Sequence, residues 1–313
     1  MSASGLDTHG DGIHLGAAEL SALRPRCHAL RLPMRQPAAS ALAGAYRSRF
    51  RGRGVDFLES RNYQPGDDIR NMDWRVTART GRAHTKVFQE ERERPVLVVL
   101  DASPTLYFGT RKRLKSVAAG QMAAAIAWSA VRRGDRIGGF LFAPGRHREL
   151  RPAGGRRGAM RMIQGLVDWL QPEQQAGNGS EPLSIALERV RHTVRPGSLV
   201  VVISDFFSLD DTCNQHLSRL RQHSDVIGCQ VVDAAEHDLP NGRYPITDGS
   251  ESVVLDTGHA ASRRRYRAMG EQHLEAPRRL FQKHTCGWLI LRADDDPVDV
   301  LGRELRMLVG RPV

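Results

Sequence analysis

Two apolar runs stand out along the chain, Val96–Leu100 and Leu199–Ile203. Both are strand-length and flanked by polar residues. Unbroken apolar character marks a strand covered on both faces, as in a parallel sheet. Around these runs the periodicity predicts strands at 135–142, 225–233 and 287–293. The alanine-rich stretch 113–133 predicts a long helix that Gly134 ends. Further helices are predicted over 157–170, 183–194, 214–223, 263–284 and 296–310. A short antiparallel strand is expected at 147–152 and a small hairpin within 243–258. Strand–helix alternation of this kind implies an α/β fold, a doubly wound, mostly parallel sheet with helices on both faces.

The N-terminal third reads differently. Residues 1–16 are rich in Gly, Ser and Asp and are expected to be disordered. A short helix interrupted by Pro25 is expected over 17–32, and a linker over 33–45. Val55 to Arg61 reads as a strand, as does the alternating HTKVFQEERE at 84–93. YQPGDD is a turn by composition, and Asp67 or Asp68 is placed to cap a short helix through IRNMDWRVTART. The expected organisation is therefore a disordered or helical segment 1–40, a β-containing collar 41–94 and an α/β domain 95–313.

Charge changes this picture little. The chain carries a formal +11, with Arg47, Arg49, Arg51 and Arg53 alternating. An acidic partner, a nucleic acid or a solvated strand edge all fit that pattern, and no helix–turn–helix, zinc-finger or ribonucleoprotein signature accompanies it. The RKRLK run, Arg111 to Lys115, is either an electrostatic lure for an acidic partner or a solvated helix start set against the dipole. The four cysteines, Cys27, Cys213, Cys229 and Cys286, form no Cys-x-x-Cys pair, which argues against a zinc site or a disulfide framework. No apolar run approaches the ~20 residues of a spanning helix. The N-terminus lacks a basic region followed by an apolar core. A cytoplasmic location is expected.

The candidate chemistry lies where the first buried strand ends. Asp101, Ser103 and Thr105 are spaced by two, so in extended chain their oxygens point one way. A second buried strand ends in Asp205. Ligands of open α/β sheets bind beyond the carboxyl ends of the strands. Oxygen ligands of this type suit Mg²⁺ or Mn²⁺.

These residues resemble the metal-ion-dependent adhesion site of von Willebrand factor type A domains. The preceding RNYQPGDDIRNMDWRVTAR, with Tyr63, Gly66, Asp67, Asp68, Arg70, Asp73, Trp74 and Arg79, resembles the signature of the bacterial family called domain of unknown function 58. The resemblance covers about residues 45–310. It implies a von Willebrand type A-like domain after the signature, and a chaperone-like or complex-assembly role beside a MoxR-type AAA+ ATPase. It further implies an open metal position filled by an acidic residue of the partner. The family-type site also has a threonine before a later helix; here Ser180 and Glu181 stand near that place.

Three functions compete. The first is a non-enzymatic adaptor. The second is a phosphatase of the haloacid dehalogenase type, which would need a second Asp where Ser103 stands. The third is a nucleic-acid-binding module using Arg47 to Arg53 and Arg263 to Arg265. In the signature segment, Arg70 and Arg79 are expected to pair with the carboxylates, and Trp74 to anchor the collar.

Overall fold

The computed structural model describes residues 10–32, 55–90, 93–174, 181–247 and 252–309. Arg47 to Arg53 and Ser180 lie outside the described residues. In chain order the elements are α1 (Ala17–Ala22), β1 (Val55–Asn62), α2 (Trp74–Thr80), β2 (His84–Glu90), β3 (Pro95–Asp101) and α3 (Lys115–Arg132). Then come β4 (Arg136–Ala143), β5 (Arg146–Ala153), α4 (Gly155–Trp169), α5 (Leu183–Thr193), β6 (Leu199–Ser204) and α6 (Cys213–His223). The chain closes with β7 (Asp225–Val232), β8 (Arg243–Thr247), β9 (Ser252–Asp256), α7 (Ala260–Lys283), β10 (Gly287–Arg292) and α8 (Pro297–Val309). Residues 36–93 form one compact unit and the remainder of the chain another.

The larger unit is a sheet in the order β10-β7-β6-β3-β4-β5. All neighbours are parallel except β5, which returns antiparallel on β4. Alternation along β3 divides the core in two. Val96, Val98 and Leu100 pack with α3, α4 and α8, whereas Leu97 and Val99 pack with α5, α6 and Phe281 of α7. This is the doubly wound α/β architecture expected from the apolar runs. Leu15 and Leu20, from the segment read as separate, are buried in the first of these cores. Trp128 Nε1 of α3 donates to Leu20 O at 2.9 Å. All four cysteines are free and buried. Among the described residues no helix is long and apolar enough to cross a membrane.

Gly228 of β7 has a packing reason. A Cβ there would lie 2.5 Å from the Trp288 ring, so the glycine lets Trp288 and Phe281 lie against the sheet. Phe206, Phe281 and Trp288 form an aromatic triangle with centroids 5.1–5.5 Å apart.

In the smaller unit β1 and β2 pair antiparallel, Ser60 opposite Lys86 and Asn62 opposite His84. Gly66 adopts φ +105°, which explains a glycine at the turn. The signature residues are organised differently from the sequence expectation. Asp68 caps a single 3-10 turn, Ile69–Asn71, but the helix does not continue: Met72 is extended and bridges to Thr85, and α2 starts only at Trp74. Asp73 is the cap, accepting from Val76 N, and Asp68 accepts from Arg70 N. Asp67 pairs with Arg61 at 2.8 Å rather than with Arg70 or Arg79. Neither Arg70 nor Arg79 has an ion pair among the described residues. All three carboxylates accept backbone N–H groups at turns and helix starts, Asp67 from Gln64 N at 2.9 Å beside its pair with Arg61. Trp74 is 65% exposed and is no anchor within its own unit. Tyr63 contributes its backbone, donating N–H to Ala83 O at 2.8 Å.

Phe281 closes the second core and is fully buried. Phe281→Ala should destabilise the protein by about 3–5 kcal/mol, read as a fall in the urea midpoint. A cost below ~1 kcal/mol would mean that the aromatic triangle is not a packed core.

Candidate functional site

Three neighbouring strands deliver carboxylates to one edge of the sheet. β3 ends on Asp101, β6 runs into Asp205, and β7 runs into Asp233 and the short turn that carries Glu236. The fourth contribution is the first residue of α3, Lys115.

Asp101 is completely buried. Ser103 donates to its Oδ1 through both hydroxyl and backbone N–H, the latter at 2.8 Å. The Ser204 hydroxyl donates to Oδ2 at 2.7 Å. Burial, and then the charge of Asp205, push this carboxyl up to about 6. The same Ser204 oxygen accepts from Phe206 N at 2.8 Å, and Asp205 Oδ1 accepts from Phe207 N at 3.2 Å. These two bonds fold the chain sharply after β6 and hold Phe206 at φ +63°. That left-handed conformation is unfavourable for a bulky side chain by ~1–3 kcal/mol. Seating Phe206 in the aromatic triangle offsets it.

Lys115 is the central charge. Its side chain is 0% exposed, and Nζ donates to Asp205 Oδ2 at 2.9 Å and to Glu236 Oε1. Nζ also lies 5.2 Å from the Phe207 ring centroid. Burial disfavours the ammonium, but the two carboxylates hold its pKa above the usual lysine range. Glu236 is raised by burial despite Lys115. The other Glu236 oxygen accepts from Asp233 N at 2.8 Å, while Asp233 accepts from Thr110 N at 3.0 Å and from the Thr110 hydroxyl. Thr110 thereby ties the loop between β3 and α3 to the end of β7. His273 stacks on Phe207 with ring centroids 3.8 Å apart, and burial lowers its pKa.

Asp101, Ser103 and Asp205 are brought together as the spacing predicts, because β3 and β6 are hydrogen-bonded neighbours. Thr105 is not aligned with them: Pro104 begins a 3-10 turn, extended geometry ends, and Thr105 is exposed. Glu181 is engaged elsewhere, accepting from Gly145 N at 3.0 Å and from Arg189 at 3.3 Å. The basic run divides. Arg111 and Lys112 are exposed, whereas Arg113 turns inward to Ala293 O at 2.7 Å and Lys115 is buried. Sequence reasoning placed Lys115 in a solvated or lure-like run and passed over Ser204, Asp233 and Glu236. Ser204 beside Asp205 was the available signal.

Among the described residues, the ammonium of Lys115 on Asp205 makes a poor fit for a resident divalent cation in the arrangement that the resemblance implies. The hydroxyls of Ser103 and Ser204 donate to Asp101, and the Ser204 oxygen also accepts from Phe206 N, which leaves them lone pairs but no free proton. An ion on the free side of the Asp205 carboxylate would stand roughly 5 Å from the ammonium, a repulsion of about 6–7 kcal/mol at an effective dielectric near 20. A hard cation fills much of its shell with water, so the repulsion rather than a shortage of protein oxygens is what disfavours it here. Among the described residues no group of three or more His, Cys, Asp or Glu is arranged to hold a metal.

The family model described as "Protein of unknown function DUF58" matches residues 59–276. Uncharacterized proteins of Mycobacterium bovis and Mycobacterium tuberculosis are 34% identical over 231 residues, 72% of this chain and 71% of each relative. Among solved structures, the conserved hypothetical protein BatB of Bacteroides thetaiotaomicron aligns over 70% of this chain and 100% of its own, with 13% identity and a TM-score of 0.43. A von Willebrand factor type A protein of Catenulispora acidiphila aligns over 72% of this chain and 43% of its own, with 12% identity and a TM-score of 0.39.

Removing the ammonium strands two buried carboxylates. Lys115→Met should cost about 3–5 kcal/mol at neutral pH. In the variant Glu236, which burial already raises, would keep a proton that the unfolded chain has released, so its stability falls as pH rises through the folded pKa of Glu236. The gap in Tm between wild type and variant should therefore be wide at pH 8 and narrow at pH 5. An equal gap at both pH values would show that the loss is packing and not charge.

Proposed function

The chain belongs to the family described as protein of unknown function DUF58, and on that premise we propose that it is a non-catalytic protein-interaction adaptor. The observation that carries this reading is the contrast at the strand ends. Asp101, the residue best placed to act chemically, is wholly buried with both oxygens in hydrogen bonds. On the loop before α3 and the turn after β6, Phe108 is 42% and Phe207 50% exposed, Lys112 is exposed, and Arg111 pairs with Asp294 at 3.1 Å. Exposed aromatics rimmed by positive charge suit docking of an acidic, partly apolar protein surface.

The phosphatase alternative finds little support in this arrangement. Its nucleophile would have to be Asp101, which no substrate reaches, and Ser103 stands where the acid–base carboxylate belongs. Of the arginines that the nucleic-acid alternative would use, Arg263 is engaged with the carbonyls of Thr257 and Gly258, at 2.6 and 3.0 Å, whereas Arg264 and Arg265 are exposed.

The partner of best fit is a MoxR-type AAA+ ATPase, on the strength of the family resemblance, and the role is complex assembly or chaperone-like maturation. The test is binding of that purified ATPase to the full chain. Phe108→Ser combined with Lys112→Glu should weaken binding by about tenfold or more at unchanged Tm, since exposed aromatic anchors carry ~1–2 kcal/mol or more. Equal affinity of variant and wild type would place the docking surface elsewhere. No binding by wild type would remove this partner.

A further inference from the structure

We propose that Lys115 is a tethered cation that takes the place of a divalent ion at the strand ends, so that docking at this surface needs no metal. The docking half of that statement rests on the adaptor reading; the charge half stands on the geometry alone.

The ammonium sits where positive charge is required. It meets Asp205 Oδ2 at 2.9 Å and Glu236 Oε1, and the Phe207 ring lies 5.2 Å from it. An ammonium has three N–H donors and no acceptor, so two carboxylates and one π-face occupy it fully. A divalent ion in its place would take one or two of these carboxylates and complete its shell with water. The ammonium already holds both carboxylates, and its charge repels a second cation there. Thr105 is outside on a turn, and Glu181 holds Gly145 and Arg189, so neither adds an oxygen.

Helix stability does not explain the lysine. Lys115 is the first residue of an 18-residue helix that has no side-chain N-cap and no acidic residue in its first turn. A cation at that end opposes the helix dipole. Nor does solvation explain it, since the side chain is fully buried. What remains is the pair of carboxylates from the ends of β6 and β7. Both need a counter-charge, and one lysine supplies it without drawing an ion from solution.

The experiment is a Mn²⁺ titration of the full chain followed by electron paramagnetic resonance. Wild type should leave Mn²⁺ free up to about 1 mM, the weak end of protein sites for hard cations. Lys115→Ala, shown to be folded by circular dichroism, should acquire one Mn²⁺ site at least about tenfold tighter than any in wild type. Adding Asp205→Asn should remove it. A stoichiometric wild-type site that Asp101→Asn abolishes would overturn the proposal, as would a folded Lys115→Ala that gains no site. Should Lys115→Ala fail to fold, the wild-type titration decides alone. Binding of the ATPase in EDTA separates the two readings. Binding kept in EDTA supports the tethered cation, and binding lost in EDTA and restored by Mg²⁺ overturns it. No binding in either condition defeats the adaptor reading, and the Mn²⁺ titration still judges Lys115.

Discussion

Lys115 carries its charge out of reach of bulk solvent, and carboxylates from beyond the ends of two strands close on it. Desolvating an ammonium costs several kcal/mol, and only well-placed partners return it. The surrounding structure consists largely of what places them. Asp205 is aimed by the sharp turn after β6, with Phe206 held left-handed and seated among Phe281 and Trp288. Glu236 is aimed by its bond from Asp233 N, and Asp233 is held by Thr110. Even Gly228 belongs to this chain of dependence, because it makes room for the aromatic pair on which Phe206 rests.

The layers of the fold were legible because burial on both faces of a sheet leaves an unmistakable mark. PVLVVLD and GSLVVVISD could hardly be anything but central strands, and once they are neighbours Asp101 and Asp205 must share an edge. The site itself was half legible. Asp101, Ser103 and Asp205 are local to those strand ends. Lys115 is not: 90 residues separate it from Asp205 and 121 from Glu236. In sequence it is the last of five residues in RKRLK, and the bend that precedes α3 turns Arg113 and Lys115 inward while Arg111 and Lys112 stay exposed. Thr105 failed for a local reason, since Pro104 starts a tight turn and ends the two-residue alternation.

The signature segment teaches a related lesson about carboxylates. Asp67, Asp68 and Asp73 sit among arginines, and opposite charges within thirteen residues invite a reading as ion pairs. Two of the three instead accept backbone N–H groups at the starts of helical turns, and only Asp67 finds a guanidinium, that of Arg61. Caps cost no long side chain its freedom, so they win where a turn is nearby. Trp74, left exposed, is then a surface feature of that unit.

In this fold the strand ends are the usual place for a ligand, and here they hold carboxylates closed on a single ammonium. The charge state of Lys115 tests that account most directly. Nitrogen-15 NMR that detects lysine ammonium groups reports it in the intact protein. The account predicts one slowly exchanging ammonium that persists when pH is raised past 10.5, the ordinary lysine value. An ammonium at Lys115 that exchanges like surface lysines, or that is neutral at pH 8, would contradict it.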